Sequence, residues 1–491
     1  KAITTYIEVK FLQMCEYNVS KRLVEGYLYQ PYIWFLNRNS AELGKSILSQ
    51  VSIVIDIMRS LMSLISKSII AIALIALLII ANPKLSMIVG LTLSLTYGII
   101  FYFTRKYLNS LGKENLKNDE LRFIAVSEAF GAAKEIKVGG LERAYIKSYS
   151  NAAKIFAQNK AILKVISQLP RYILEGIAFG GIMLLILYLM SQEGSFNNAI
   201  PIISLYAFAG YRLMPVMQNI YMSLSQISFS SPSLDNLYYD IGKLNPIKNN
   251  YLEEKLSFDK EIVLNNIDFN YPNTSQKALQ GISLNIPAKS TIGLIGATGS
   301  GKTTLLDIIL GLLMSDKGTL EIDGEVLSKK NLRSWQRNIG YVPQHIYLSD
   351  DTIAANIAFG VESKNINQID IERASKIANL HDFIINELPD KYNTTIGERG
   401  IRLSGGQRQR IGIARAVYLN PKILILDEGT SALDNETEKK VMEAINKLSK
   451  KITIILVAHR LNTVRNCDKI YKFEKGKVIA EGKFDEIINT N

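Results

Sequence analysis

Cysteine, histidine and tryptophan are all scarce in this chain, at two, three and two among 491 residues. Cys15 and Cys467 lie far apart with no partner spacing, which argues against a disulfide framework or a thiolate zinc site and suits a reducing, cytosol-facing setting. His345, His381 and His459 are too scattered to form a metal cluster. No basic-then-apolar leader ending in small residues opens the sequence, and its first residue is Lys1, so an N-terminally incomplete chain is expected. Basic residues are missing from 191–199, whereas 105–171 holds 13 Lys and Arg against 6 Asp and Glu. The net charge of +12 is therefore placed as the positive-inside rule places it, beside membrane spans, and no nucleic-acid partner is expected.

The average composition, 47% hydrophobic and 21% charged, conceals a split between two halves. Crossing a bilayer takes about 20 mostly apolar residues as a helix. Four stretches qualify, at about 61–81, 85–103, 172–190 and 200–221, and none carries the polar stripe of a buried soluble helix. Asn82-Pro83 breaks the first pair, and the turn at 191–199 joins the second. Between them, 105–171 is too long for a connector and reads as two helices leaving the membrane and reversing near 128–140. Residues 1–60 read as helix, a turn around Gln30-Pro31 and 37–40, then helix again. The expected organisation is an all-α transmembrane domain over 1–240, a linker over 241–255, and an α/β phosphate-loop ATPase over 256–491.

Gly296-Ala297-Thr298-Gly299-Ser300-Gly301-Lys302-Thr303 fits the phosphate-loop pattern, between a strand at 291–295 and a helix at 304–310. Glycines let successive N–H groups turn onto phosphate oxygens, the helix N-terminus adds its dipole, and Lys302 neutralises charge. Thr304 lies in the same stretch of nucleotide contacts, and the Thr303 hydroxyl suits Mg²⁺. Ile423-Leu424-Ile425-Leu426-Asp427-Glu428 is a buried strand ending in two acids. Asp427 would hold Mg²⁺, and Glu428 would orient the attacking water as general base. Leu403-Ser404-Gly405-Gly406-Gln407 precedes a helix at 408–418, with Ser404 placed to cap it.

This last segment matches the signature of ABC transporters, and the chain is identified as resembling that family, as an exporter-type half-transporter. The resemblance implies that Tyr271 stacks on adenine, Gln344 senses Mg²⁺, and His459 contacts the γ-phosphate. Gly397-Glu398-Arg399-Gly400 resembles the loop before the signature, and Ser431-Ala432-Leu433-Asp434 the loop that crosses between paired domains. It also implies a composite site, in which the phosphate loop of one copy closes on Ser404, Gly405, Gly406 and Gln407 of another, hence a homodimer. Gly429 stands where many relatives carry alanine. Relatives have six spans, so the first and most of the second would lie outside this chain, and 29–38 and 128–137 resemble the coupling helices that touch the ATPase. The implied setting is a bacterial inner membrane, multi-pass, with the ATPase in the cytoplasm.

Charge within spans asks for a reason, at about 3 kcal/mol each. Arg212 lies twelve residues into the last span, roughly 18 Å deep at about 1.5 Å per residue. One reading is a structural Arg212–Glu175 pair. The other has Arg171 and Arg212 line a cavity and grip an anionic head group, which the guanidinium fork suits. The sequences around Arg171, Arg212 and Asp235 resemble bacterial flippases of lipid-linked oligosaccharides, although Asn219 replaces a further arginine there. The substrate implied is a lipid-linked oligosaccharide or similar pyrophosphate lipid, with export of peptides or hydrophobic drugs as the alternative. A non-transport ATPase would lack the spans.

Overall fold

The computed structural model describes residues 2–81, 83–191, 196–244, 256–272, 274, 276–397, 400–429, 434–449, 451–458 and 461–488, leaving aside the side chains of some helical residues, chiefly within 174–209. Contacts divide the chain into two compact units: Lys1–Gln30 with Trp34–Ile247, and Pro31–Ile33 with Lys248–Asn491.

The described residues of the first unit are helical apart from short turns. It comprises α1 (Ala2–Leu28), α2 (Tyr32–Leu36, whose first two residues fall in the second unit), α3 (Ser40–Lys45), α4 (Val51–Ala81), α5 (Pro83–Gly131), α6 (Ala133–Gly139), α7 (Glu142–Ser191) and α8 (Phe196–Lys243). Four of these boundaries have a local cause. Pro31 lacks an N–H and disfavours helix at the residue before it, so α1 stops short of Gln30. The Asn39 side chain accepts the Ala41 N–H at 2.9 Å and opens α3. Pro83 starts α5, where its fixed φ suits the first helical position. Gly140 closes α6 in the left-handed region at φ +60°.

All four expected spans fall inside α4, α5, α7 and α8, and these helices run well beyond the apolar stretches, to 49 and 50 residues in α5 and α7. The segment 105–171 is indeed two helix extensions that reverse through α6. One turn was not expected: α3 passes into α4 through a π-helical turn, Ser46–Gln50. Gly112 shows why α5 and α8 cross so closely. A Cβ there would sit 1.9 Å from the Phe229 carbonyl oxygen, so only glycine fits. Among the described residues one helical stretch, Ser40–Ile80, is long and apolar enough by itself to cross a membrane, and only 11% of its most apolar window is buried.

The second unit is built on two sheets. Strands β1 (Glu261–Phe269), β2 (Leu279–Pro287), β3 (Thr291–Gly296), β4 (Lys317–Ile322), β5 (Glu325–Val326), β6 (Ile339–Val342), β7 (Ile423–Asp427), β8 (Thr453–Val457), β9 (Lys469–Glu474) and β10 (Lys477–Gly482) follow chain order. The antiparallel sheet runs β2-β1-β4-β5, and the larger one β10-β9-β3-β8-β7-β6. In the latter, β9, β3, β8, β7 and β6 are mutually parallel. Strands β7 and β8 are apolar and fully buried, as parallel strands covered on both faces must be. The helices are α9 (Lys302–Ile309), α10 (Leu332–Gln336), α11 (Ile353–Ile357), α12 (Gln368–Ile377), α13 (His381–Glu387), α14 (Gly405–Tyr418), α15 (Asn435–Ser449) and α16 (Phe484–Ile488). One apolar core joins α11–α14 to the inner strands, and a second joins both sheets to α9 and Trp335. Ile33 packs against this second core within the same unit.

Candidate functional site

Parallel strands end on one edge, and that edge gathers the site. Leu294 of β3 and Asp427 of β7 both lie opposite Val457 of the intervening β8. The phosphate loop and the two acids therefore start from one row, about 10 Å apart at about 4.8 Å per strand. Distance along the chain, from 296 to 427, is irrelevant once the sheet forms.

The loop is shaped by two glycines in particular. Gly296 has φ +151° and Gly301 φ +103°. A Cβ on Gly301 would lie 2.9 Å from the Ala278 carbonyl oxygen, and one on Gly296 would lie 2.4 Å from that of Phe473. The chain thus passes too close to its neighbours for any side chain. Gly301 then caps α9, whose first residue is Lys302. The Lys302 ammonium is folded into the loop, donating to the carbonyls of Gly296 and Ala297 at 2.8 and 2.9 Å and to Ser300 Oγ at 3.4 Å. Burial pulls its pKa down, while Glu428 and Asp427 oppose that pull. Thr298, Gly299 and Thr303 are exposed at the loop's open side. Thr304 is buried and meets the Tyr271 hydroxyl at 3.2 Å. Tyr271 is half-buried, its ring edge-on to Phe269 at 5.1 Å.

At the end of β7, Asp427 is buried. Glu428 turns out of the strand at φ +53°, a strained conformation for a non-glycine residue, at a cost of about 1–2 kcal/mol. Its N–H donates to Val457 at 3.1 Å, and its carbonyl accepts the Gln409 side chain at 3.0 Å. Gln344 Nε2 donates to Glu428 Oε2 at 2.9 Å, so the second residue after β6 meets the residue after β7. Ser404 does cap α14: its Oγ accepts the Gln407 N–H at 3.2 Å, and Gln407 Oε1 accepts the Ser404 N–H at 2.8 Å. The helix begins at Gly405, three residues earlier than its sequence pattern suggested, because this reciprocal pair tolerates the two glycines in its first turn. His459, Glu398, Arg399 and the 431–433 part of the crossing loop lie outside the described residues.

Three participants escaped sequence reasoning. Gln409, almost fully buried on α14, reaches the backbone of Glu428. Its only signal was its place two residues after Gln407. Asp307, one turn after Thr303 on α9, is half-buried, and burial together with the charge of Asp427 pushes its pKa up to about 6. Tyr341 on β6 is likewise pushed up, first by burial and then by Asp427 and Asp307. A helix period applied to Thr303 would have found Asp307.

The arrangement suits binding of a nucleoside triphosphate: a cradle of N–H groups, a lysine, a hydroxyl and a carboxylate at one sheet edge. Comparison with known proteins decides the family. The ABC transporter family model matches 279–431, and the model for the ABC transporter transmembrane region matches 2–211. A protein named ATP-dependent lipid A-core flippase from Ralstonia nicotianae is 30% identical over 484 residues, covering 96% of this chain and 80% of that one. The chain belongs to the ABC transporter family.

This ABC exporter is therefore a membrane protein that couples ATP hydrolysis to transport, with a helical transmembrane domain followed by an α/β ATPase domain, as its sequence implied. Its fold is that of a bacterial Atm1-family ABC exporter with ATP bound, at a TM-score of 0.85 and 22% identity, covering 100% of this chain and 85% of that one. Multidrug resistance protein 1 of Entamoeba histolytica is 39% identical over 291 residues, 56% of this chain and 22% of that one.

In the transmembrane unit, the structural pair suggested for Glu175 is corrected. Its Oε1 accepts Arg171 Nε at 2.7 Å, one helical turn away on α7, in place of Arg212. An i,i+4 partner is delivered by the helix itself, whereas Arg212 sits on α8. Arg212 is exposed, with its guanidinium 5.8 Å from the Phe208 ring centroid.

Proposed function

We propose that two copies of this chain form an ATP-driven flippase that moves a lipid-linked oligosaccharide or similar pyrophosphate lipid across a bacterial inner membrane. The observation that carries the motor is the meeting of Lys302, Asp427, Glu428 and Gln344 on one sheet edge. Glu428 takes the proton of the attacking water, the new bond forms at the γ-phosphorus, and ADP leaves as the β–γ bridge breaks. Buried Asp427, the Thr303 hydroxyl and Gln344 form an oxygen donor set that fits Mg²⁺, which would neutralise phosphate charge. His459 completes the reading as the γ-phosphate contact. The signature Ser404, Gly405, Gly406 and Gln407 of the second copy closes each site, and ATP so bound draws the two ATPase domains together. Shifting a two-state equilibrium from 1:99 to 99:1 takes about 5.5 kcal/mol of differential binding. Two sandwiched nucleotides can supply that.

Relatives named for lipid A-core flipping that align along 96% of the chain, membrane half included, support a lipid substrate. The Arg171–Glu175 pair is exposed and thus weak, so a pyrophosphate can displace the carboxylate and bind the fork. Glu428→Gln should abolish hydrolysis while ATP binding persists. Normal hydrolysis in that variant would overturn the general base. Arg171→Ala with Arg212→Ala should stop flipping of a fluorescent pyrophosphate-linked oligosaccharide lipid in proteoliposomes and spare basal hydrolysis, and undiminished flipping would exclude the head-group role. Transport of a hydrophobic drug in the same vesicles would favour the export that the drug-resistance relative's name suggests.

A further inference from the structure

The last helix of the transmembrane unit is the one that precedes the ATPase in the chain, and its final turns carry a cluster that neither nucleotide chemistry nor membrane crossing requires. Asn236, Leu237, Asp240 and Leu244 follow one another at helical spacing, so they share one side of α8 and its end. Every one of them is engaged with the N-terminal segment. The Asn236 amide donates to Gln50 Oε1 of the π-helical turn at 3.2 Å. Leu237 is buried with Leu12, Leu23, Tyr27, Val51 and Ile55, and Leu244 packs against the same cluster. A Cβ on Gly26 would lie 2.8 Å from Leu244 Cδ1, so α1 approaches that leucine closely.

Asp240 is the polar centre. It is buried, and one carboxylate oxygen accepts the hydroxyl of buried Tyr27. The other accepts Arg38 NH2 at 3.3 Å. Arg38 also binds Glu42 at 3.2 Å, and its guanidinium lies 5.1 Å from the Trp34 ring centroid. Trp34 in turn stacks on Tyr27, with centroids 5.4 Å apart. Burial and the hydrogen bond to Asp240 raise the Tyr27 pKa, so the phenol remains a donor. Two hydrogen bonds meet on one buried carboxylate, so removing a partner costs more here than at the exposed pairs of the same unit.

We propose that Asp240 is a positioning residue for coupling: it fastens the C-terminal end of α8 to the α1–α2–α3 turn, so that the two move as one body through the transport cycle. Pro31–Ile33, just before Trp34, belongs to the ATPase unit, and α8 feeds the chain into that unit. Motion of the ATPase therefore reaches the helices along two chain segments, and the latch keeps those two in step. Without it, hydrolysis would move one segment and leave the other behind.

The test uses the whole protein in proteoliposomes and rests for one of its arms on the flippase reading. In Asp240→Asn and in Arg38→Gln, ATP hydrolysis should stay within about twofold of the parent, while oligosaccharide lipid flipped per ATP falls about tenfold, the size of an ordinary coupling term. Tyr27→Phe, which keeps the ring, should fall less. The double exchange Arg38→Asp with Asp240→Arg should recover most of the loss. Unchanged flipping per ATP in the single variants would overturn the proposal, as would a parallel fall in hydrolysis and flipping without recovery in the exchange. The second arm needs no transported substrate. Only Trp34 and Trp335 are present, so Trp335→Phe leaves Trp34 as the sole indole. With ATP and vanadate its emission should stay constant in the latched protein and shift in Asp240→Asn. An equal shift in both would sink the latch. If the parent flips neither the oligosaccharide lipid nor lipid A, the substrate reading fails, and Trp34 emission alone decides the latch.

Discussion

Two apolar runs in this chain meet opposite fates. Ile423, Leu424, Ile425 and Leu426 on β7 are each at most 2% exposed, whereas Ile65, Ile72 and Ile80 on α4 are 61%, 67% and 86% exposed. Side chains of one chemistry are buried by protein in the ATPase unit and left uncovered by this chain in the transmembrane unit, at a length and apolarity that suit a bilayer. The difference teaches where each unit's stability resides. The ATPase unit carries its apolar core within itself, whereas this chain leaves most of the outer face of α4 uncovered.

The contrast is sharpest under truncation. Ile425→Ala should cost about 2–5 kcal/mol, and Ile72→Ala less than about 0.5 kcal/mol, in thermal unfolding of the detergent-solubilised protein. Equal losses would mean that α4 is buried by protein. The next effect is one of pH. The Asp307 carboxyl titrates at about 6 in the fold, above its ordinary 3.8, so the native state binds the proton more tightly than the unfolded chain. The associated stability is complete below about pH 4 and is lost as pH rises through 6, at most about 3 kcal/mol. In protein free of nucleotide and magnesium, Asp307→Asn should therefore raise the melting temperature at pH 8 and leave it unchanged near pH 4. A variant no more stable at pH 8 would place Asp307 in water.

Two smaller effects probe the site's scaffold. Gly301→Ala should cost about 1–2 kcal/mol from its φ, plus a contact with the Ala278 carbonyl, and it should weaken ATP binding measured by calorimetry. Ser404→Ala should cost about 1 kcal/mol in the unfolding of the ATPase, with Ser404→Asp recovering most of it. A cost near zero would show that the two glycines of the first turn already fray α14.

Much of the ATPase was legible in the sequence because its signals are short. Eight consecutive residues specify the phosphate loop, four apolar residues and two acids mark the end of β7, and Ser404 with Gln407 encloses a helix start within four positions. The break at Asn82-Pro83 and the reversal through α6 were readable for the same reason. Gln409 was not, since nothing beside it in sequence says what it faces, and Asp307 emerges only when a helix period is applied from Thr303. The pairing of Glu175 with Arg171, and not Arg212, turned on a choice between two arginines that composition cannot rank.

By itself the sequence determined the four apolar stretches, the phosphate loop, the buried strand ending in two acids and the capped signature helix, because turns, caps and periodicities act within a few residues. Only the tertiary structure decided which ends of those elements meet. Strand order sets Leu294, Val457 and Asp427 in one row, Gln344 reaches Glu428, and Asp240 gathers Tyr27 and Arg38 from the far end of the chain. Such meetings depend on how whole helices and sheets pack, and packing responds to every side chain at once.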